Sequence, residues 1–229
     1  MSGVNTQLAD DAVLSRRPPA GRRDAVRNYH RIVAAARDVF GESGTEASME
    51  EIAARAGVGV GTVYRRFANK DALIDELLRL ATAEVLAAAE RALARADGHG
   101  LEELLRAHAT VFAAHTRYAS LLLQRRADTP AARRIRAAID ELTTRAVAAG
   151  TINPNVTVGD VLALIWAMRG LIGTVGEVAP DSWQRFLDIH LAGLRATGPL
   201  STSRPMSARQ LSKLAPPKPA GARTGGPCP

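Results

Sequence analysis

One cysteine, Cys228, stands next to last in a chain of 229 residues, so no disulfide can form within the chain. That suits a reducing compartment. The N-terminus has no apolar run of the kind a signal peptide carries. No stretch is expected to span a bilayer, because Arg169 interrupts the best candidate. The expectation is a soluble cytoplasmic protein with no membrane partner. No alternation of apolar and polar residues marks a strand. Proline is missing between Pro19 and Pro130, falls singly at 130, 154 and 180, and recurs seven times beyond residue 198. Because proline is shut out of helix interiors, residues 24–129 have room for long helices. No nucleophile–base pair, phosphate-cradling glycine loop or metal-ligand cluster stands out. His108 and His115 lack a third ligand at workable spacing, so neither enzyme chemistry nor a cofactor or metal is expected. Acid is missing from the C-terminal tail, which carries five cations from Thr197 onward. The first 23 residues add a net +2, so the body between is neutral in a chain of net +7. A neutral body with basic ends suits a polyanionic partner; the alternative is that the tails are merely solvated.

What is present is helical. Ala, Leu, Arg and Glu dominate, and apolar residues recur every three to four positions. The pattern predicts nine helices. The first runs from about Asp24 to Glu42 and ends at Gly44, with Ile32, Ala36, Val39 and Phe40 on its apolar face. The second starts at Ser48 and the third near Gly59. The fourth spans about Asn69–Ala96, the fifth Leu101–Thr116, and a short sixth Tyr118–Arg126. Thr129-Pro130 opens the seventh, which ends at Gly150. The eighth spans Thr157–Gly176 and the ninth Pro180–Ala196. Beyond Gly198 the chain is rich in Pro, Ser, Gly and cations, a composition expected to be disordered.

The segment from Ser48 to Lys70, SMEEIAARAGVGVGTVYRRFANK, is the most informative. Ser48 and Glu51 have the spacing of a capping box. Ile52 and Ala53 are the apolar positions of a short helix, and Gly57 sits where a turn needs positive φ. Val58 and Val63 are expected to pack inward. Gly59, Val60, Gly61, Thr62, Tyr64, Arg65 and Arg66 are then left outward, the layout of a DNA-reading helix-turn-helix. Val60 and the Thr62 methyl suit a thymine methyl, and Arg65 suits bidentate bonding to guanine. Tyr64, Arg66 and Lys70 suit phosphates, which fix register without reading sequence. Arg22, Arg23 and Arg27 suit the DNA backbone or minor groove. The plain alternative is a helical hairpin with a solvated basic face.

With the preceding SMEEIAARA and the first-helix run IVAAARDVFGESG, the stretch GVGVGTVYRRFANKDAL resembles the TetR family of bacterial transcriptional regulators. The resemblance is specific over about residues 24–75. It implies an all-α fold: an N-terminal three-helix helix-turn-helix domain and a C-terminal helical ligand-binding and dimerisation domain. It implies a homodimer on a palindromic double-stranded DNA operator, with repression released by a small-molecule effector. The family's DNA-facing positions fall on Val60, Gly61, Thr62, Tyr64, Arg65, Arg66 and Lys70. Many members have Ser and Lys where this chain has Gly59 and Val60, and His where Arg66 stands. Readout is therefore expected to lean on Arg65, Thr62 and apolar contact. The expected organisation is a flexible basic arm (1–23), a DNA-binding domain (24–70, motif about 48–69), a ligand and dimer domain (71–196) and a basic Pro-rich tail (197–229).

In the C-terminal half, the stretch TVGDVLALIWAMRGLIGTVG is apolar nearly all round and is expected to be buried. Gly170, Gly173 and Gly176 recur every three residues and permit close helix approach. The expected dimer surface takes Leu164, Met168, Leu171, Ile172 and Val175 from this helix. Trp183, Phe186, Leu187, His190 and Leu194 come from the next; the alternative is that both helices are the core of a monomer. His108, Phe112 and His115 share one helical face. With Tyr118, Trp166 and Arg169, and with Gln124 and Met168 nearby, they are candidates to line a small-molecule site. The plain alternatives are a satisfied core histidine at His108 and an Arg169 ion pair with Asp140 or Glu141. Two further functions stay open: an architectural or nonspecific DNA binder gripping through its basic tail, and an enzyme using His108 and His115.

Overall fold

The computed structural model describes residues 20–115, 129–176, 178–201, 203–206 and 210. Among the described residues there are eight α-helices and no strand. They are α1 (Ala20–Ser43), α2 (Met49–Ala56), α3 (Val60–Arg66), α4 (Lys70–Ala94), α5 (Gly100–Ala114), α6 (Pro130–Ala148), α7 (Val158–Val175) and α8 (Ser182–Leu194), with a 3-10 turn at Gly44–Glu46. The helix expected over Tyr118–Arg126 lies outside the described residues, as do residues 1–19 and most of the basic tail.

Local chemistry sets most helix ends. At α2 the Ser48 N–H donates to Glu51 Oε2 (2.7 Å) and the Glu51 N–H donates to Ser48 Oγ (3.2 Å), closing the capping box. Gly57 follows in the left-handed region (φ 62°), where its N–H and that of Val58 reach back to the carbonyls of Ala54 and Ala53. Asn69 caps α4 by accepting from the Ala72 N–H at 2.8 Å. Thr129 caps α6, with Pro130 at its first position. Thr157 and Asp160 form a second capping box at α7. Pro180 departs from expectation and does not open α8. It occupies the second place of a turn closed by the Ser182 N–H on the Ala179 carbonyl (3.1 Å), where its fixed φ is favourable.

The helices bury two apolar cores. The first gathers Ile32, Ala36, Val39 and Phe40 of α1, Ile52 and Ala53 of α2, Val63, Phe67, and Leu73, Ile74, Leu77 and Leu78 of α4. The second takes Val85, Ala88, Ala89 and Ala92 of α4 together with the inner faces of α5, α6, α7 and α8. One uninterrupted helix, α4, thus serves both. Helix α7 is the exception to the expectation about membranes. Despite Arg169, its 18 residues reach a mean hydropathy of 1.5, long and apolar enough to cross a bilayer by that measure. Here its apolar side, including Val161, Leu164, Ile165, Met168 and Ile172, packs into the second core. Its open side shows Ala167, Gly170, Gly173 and Thr174.

The Gly57 backbone makes a specific stability prediction. Gly57→Ala forces an L-residue into left-handed φ and is expected to lower unfolding free energy by about 1 kcal/mol. Gly41→Ala lies in α1 with nothing within 4 Å of the added methyl. It is expected to raise stability by up to about 1 kcal/mol. Urea unfolding of both variants measures the opposite signs.

Candidate functional site

Helix α3 has seven residues, of which Val63 alone is buried, at 0% exposure. Phe67, just past its end, is also buried in the first core. These two apolar anchors, four residues apart, with half-buried Val58 before them, fix which side of α3 faces in. Gly59, Val60, Gly61, Tyr64, Arg65 and Arg66 are left exposed, and Thr62 is half-buried. Val60 at 39% and Tyr64 at 45% are large hydrophobic groups shown to solvent, where an isolated subunit gains nothing from them.

The cations differ in their surroundings. Arg65 projects from the exposed side of α3. The Arg66 guanidinium sits 4.9 Å from the Tyr29 ring centroid and 5.9 Å from that of Phe67, a cation–π arrangement that fixes its direction. Lys70 is half-buried and donates from Nζ to the Ala47 carbonyl at 3.2 Å. Ser48 Oγ is engaged in its cap with Glu51, whose carboxyl is held below its usual range by the Ser48 N–H. Arg27 pairs with Asp24 at 2.9 Å on the exposed side of α1, where Arg23 is also exposed. The Arg22 side chain lies outside the described residues.

Sequence reasoning misses Tyr29 and Glu76. The Tyr29 hydroxyl donates to Glu76 Oε1, and Arg79 Nε and Nη2 donate to the same carboxylate at 2.7 and 2.8 Å. The Arg79 hydrogen bonds, with Tyr29 and the charge of Arg66 assisting, pull Glu76 down to about 2. This cluster ties α1 to α4 directly behind α3. Nothing in the sequence marks it, because Tyr29 and Glu76 are 47 positions apart.

In the C-terminal half the structure divides the expected small-molecule site. His108 and Phe112 on α5 meet Arg169 on α7. Arg169 Nη2 lies 3.0 Å from His108 Nε2, and its guanidinium carbon is 5.3 Å from the Phe112 ring centroid. Burial, then the Arg169 charge, holds His108 down to about 3, and burial lowers Arg169 to about 10. At neutral pH the pair is therefore a neutral imidazole and a cation. The alternative, an Arg169 ion pair with Asp140 or Glu141, is not found among the described residues. Glu141 bonds Arg145 one turn along α6 instead. His115 is buried at the end of α5, lowered by burial and by Arg37 of α1, with Glu84 of α4 opposing. It thus belongs to a different neighbourhood. Trp166 is half-buried on α7, and Tyr118 lies outside the described residues.

Of the expected dimer residues, Leu164, Met168, Ile172 and Leu187 are enclosed in the subunit's own core. A helix apolar all round needs one side for its own fold. Leu171, Val175, Trp183, Phe186 and Leu194 are half-buried, and His190 is exposed. His190 stacks on Phe186 at 4.0 Å between ring centroids.

Residues 32–77 match the profile of bacterial regulatory proteins of the tetR family. Residues 87–196 match the C-terminal domain of SbtR-like transcriptional regulators. The fold is similar to that of a TetR transcription regulatory protein from Mycobacterium vanbaalenii, with 30% identity over 76% of this chain and 99% of that one, at a TM-score of 0.56. The chain belongs to the TetR family of bacterial transcriptional regulators. The TetR regulator SCO0520 from Streptomyces coelicolor is similar to the same degree: 30% identity, 74% and 99% coverage of this chain and of that one, TM-score 0.54. The curated HTH-type transcriptional regulator SAB2452 of Staphylococcus aureus (strain bovine RF122 / ET3-1) is 45% identical over 53 residues, 23% of this chain and 29% of that protein's length. This TetR-family chain therefore shares its fold with these solved relatives over 76% and 74% of its length, and only a short segment with the curated one.

The Glu76 cluster sets an acid limit on the TetR-type N-terminal core. The folded carboxyl is depressed from 4.5 to about 2, so its stabilising contribution is complete above about pH 4.5 and is lost as pH falls toward 2. Glu76→Gln is expected to lower stability at pH 7 and to flatten the pH dependence between those values. Denaturant midpoints from pH 2 to 7 measure it.

Proposed function

We propose that this TetR-family regulator is a ligand-responsive repressor that binds a palindromic operator as a homodimer and leaves it when a small molecule binds its C-terminal half. The observation that carries this reading is the outward face of α3. Two apolar anchors hold the helix from behind, while Val60, Gly61, Thr62, Tyr64 and Arg65 face out from its front. That set has methyls for thymine and a guanidinium fork for guanine, and glycines that admit a close phosphate backbone. Lys70 and Arg66 set the register from the rim. One α3 reads only a few base pairs, so a second copy about 34–36 Å away, one helical turn along the duplex, supplies the remaining specificity.

The open sides of α7 and α8 support the dimer. A methyl group added at Gly170, Gly173 or Gly193 would meet nothing within 4 Å, so this face is open to close approach by a second pair of helices. Coupling to the effector is a difference in its affinity for the DNA-competent and DNA-incompetent arrangements. Helix α4, common to both cores, is the element that carries it.

Two outcomes check this reading. Against duplexes selected from random sequence by the wild-type protein, Arg65→Ala is expected to flatten base preference at one position per half-site, by about 1–3 kcal/mol. Tyr64→Ala is expected to weaken binding to selected and random duplexes alike. Equal losses for both variants on both kinds of DNA reject these roles. Gly173→Leu is expected to turn the dimer into a monomer in sedimentation velocity with helicity retained; a persistent dimer rejects this face as the interface.

A further inference from the structure

A half-buried charge lies against the second core. Arg169 on α7 meets no carboxylate among the described residues. Its one hydrogen-bonding partner among them is His108, 7% exposed, on α5. Because guanidinium has no acceptor, Arg169 donates to His108 Nε2, and the imidazole proton must then sit on Nδ1. Among the described residues that Nδ1–H has no acceptor, and neither does the Arg169 Nε–H, although both nitrogens are sealed from solvent. One pair of side chains thus holds two orphaned donors and one net positive charge against the face of Phe112. Arg169 as a whole is only half-buried, but its Nε–H and the His108 Nδ1–H are closed off from water, and sealed donors without an acceptor are unfavourable. The same position filled by an apolar residue would serve the core better.

We infer that Arg169 and His108 form the recognition end of a site for the carboxylate of a small organic acid. The chemistry defines the ligand class. The orphan on the charged group, the Arg169 Nε–H, is a donor, so the group it lacks is an acceptor, while His108 holds the guanidinium in place through Nε2. The site has one positive charge, which balances a monoanion and leaves a dianionic phosphate under-compensated. A planar carboxylate matches the guanidinium fork, and the Phe112 ring and neighbouring apolar residues of α5 and α7 suit an acid with an apolar body. This inference rests on the reading of the C-terminal half as the effector domain, and gives that effector its charge. It also gives a route for its effect. Neutralising Arg169 changes the contact between α5 and α7. Helix α5 packs on α4, which continues into the core that holds α3.

The test uses the full chain with acetate and hexanoate, against acetamide and hexanamide, at matched ionic strength in chloride. Both carboxylates are expected to raise the melting temperature by about 2–6 °C at tens of millimolar, hexanoate more than acetate, while the neutral amides leave it unchanged. Arg169→Gln is expected to abolish the response. Should that variant fail to fold, Arg169→Lys, which keeps the charge without the fork, is expected to reduce the response at least threefold in affinity. Amides that stabilise as well as the acids, or an Arg169 variant that keeps the full response, overturn the inference. Binding to selected duplexes is scored separately. Intact DNA selection with no acid response rejects the carboxylate site and leaves the regulator reading standing. An acid response without DNA selection does the reverse.

Discussion

Helix α4 is the constraint on which the other parts depend. Over 25 residues it has no glycine or proline, and it offers one apolar stripe to two different cores. Leu73, Ile74, Leu77 and Leu78 complete the N-terminal core, and Val85, Ala88, Ala89 and Ala92 complete the C-terminal one. Its first turn follows Phe67, the residue that anchors the end of α3, by only three positions. In the proposed coupling, a tilt of α4 imposed from the C-terminal side would be passed to the base of α3. The Tyr29–Glu76–Arg79 cluster braces the first part of the same helix against α1.

The outward face of α3 is poor in hydrogen-bond donors, since glycine and valine fill its first turn. In the proposed DNA reading, such a surface would hold its place by shape and by contacts at its edges more than by a dense set of base contacts. The structure adds a reason for the directions of the edge groups. Arg66 is stacked on Tyr29 and Lys70 is tethered to the Ala47 carbonyl, so both charges are held in place. Held side chains lose less entropy on binding than loose ones.

The second core works by different physics. Its apolar packing closes off Arg169 Nε and His108 Nδ1, which have no acceptor among the described residues, and so favours a group of opposite sign beside the Arg169 charge. The same exclusion keeps His108 neutral and so fixes which of its nitrogens donates. The charge and the proposed dimer face lie on one helix: Arg169 meets His108 of α5, while Gly170 and Gly173 lie on the open side. A change at one surface of α7 is thereby close to the other.

The sequence was legible where the decisive interactions are local. The Ser48–Glu51 box, the turn at Gly57, the Thr129-Pro130 and Thr157 helix starts and the apolar stripe of α4 all depend on residues within four positions of one another, and each is visible as a spacing. So is the family, because the TetR motif is a contiguous run. Most helix ends fell near expectation for the same reason; α1 starts at Ala20 rather than Asp24, and α8 at Ser182 rather than Pro180, whose turn chemistry outweighed its preference for a first helical position. Local sequence thus accounts for the eight described helices, the helix-turn-helix and, except for half-buried Thr62, the exposed residues of α3. Tertiary structure alone decided the partners of the polar groups. Glu76 meets Tyr29 across 47 positions, and Arg169 meets His108 across 61 rather than the carboxylates of α6. It also decided that Met168 and Leu187 serve the subunit's own core. The physical reason is that helical periodicity shows which face of a helix is apolar, whereas which helix covers that face depends on how the whole chain packs.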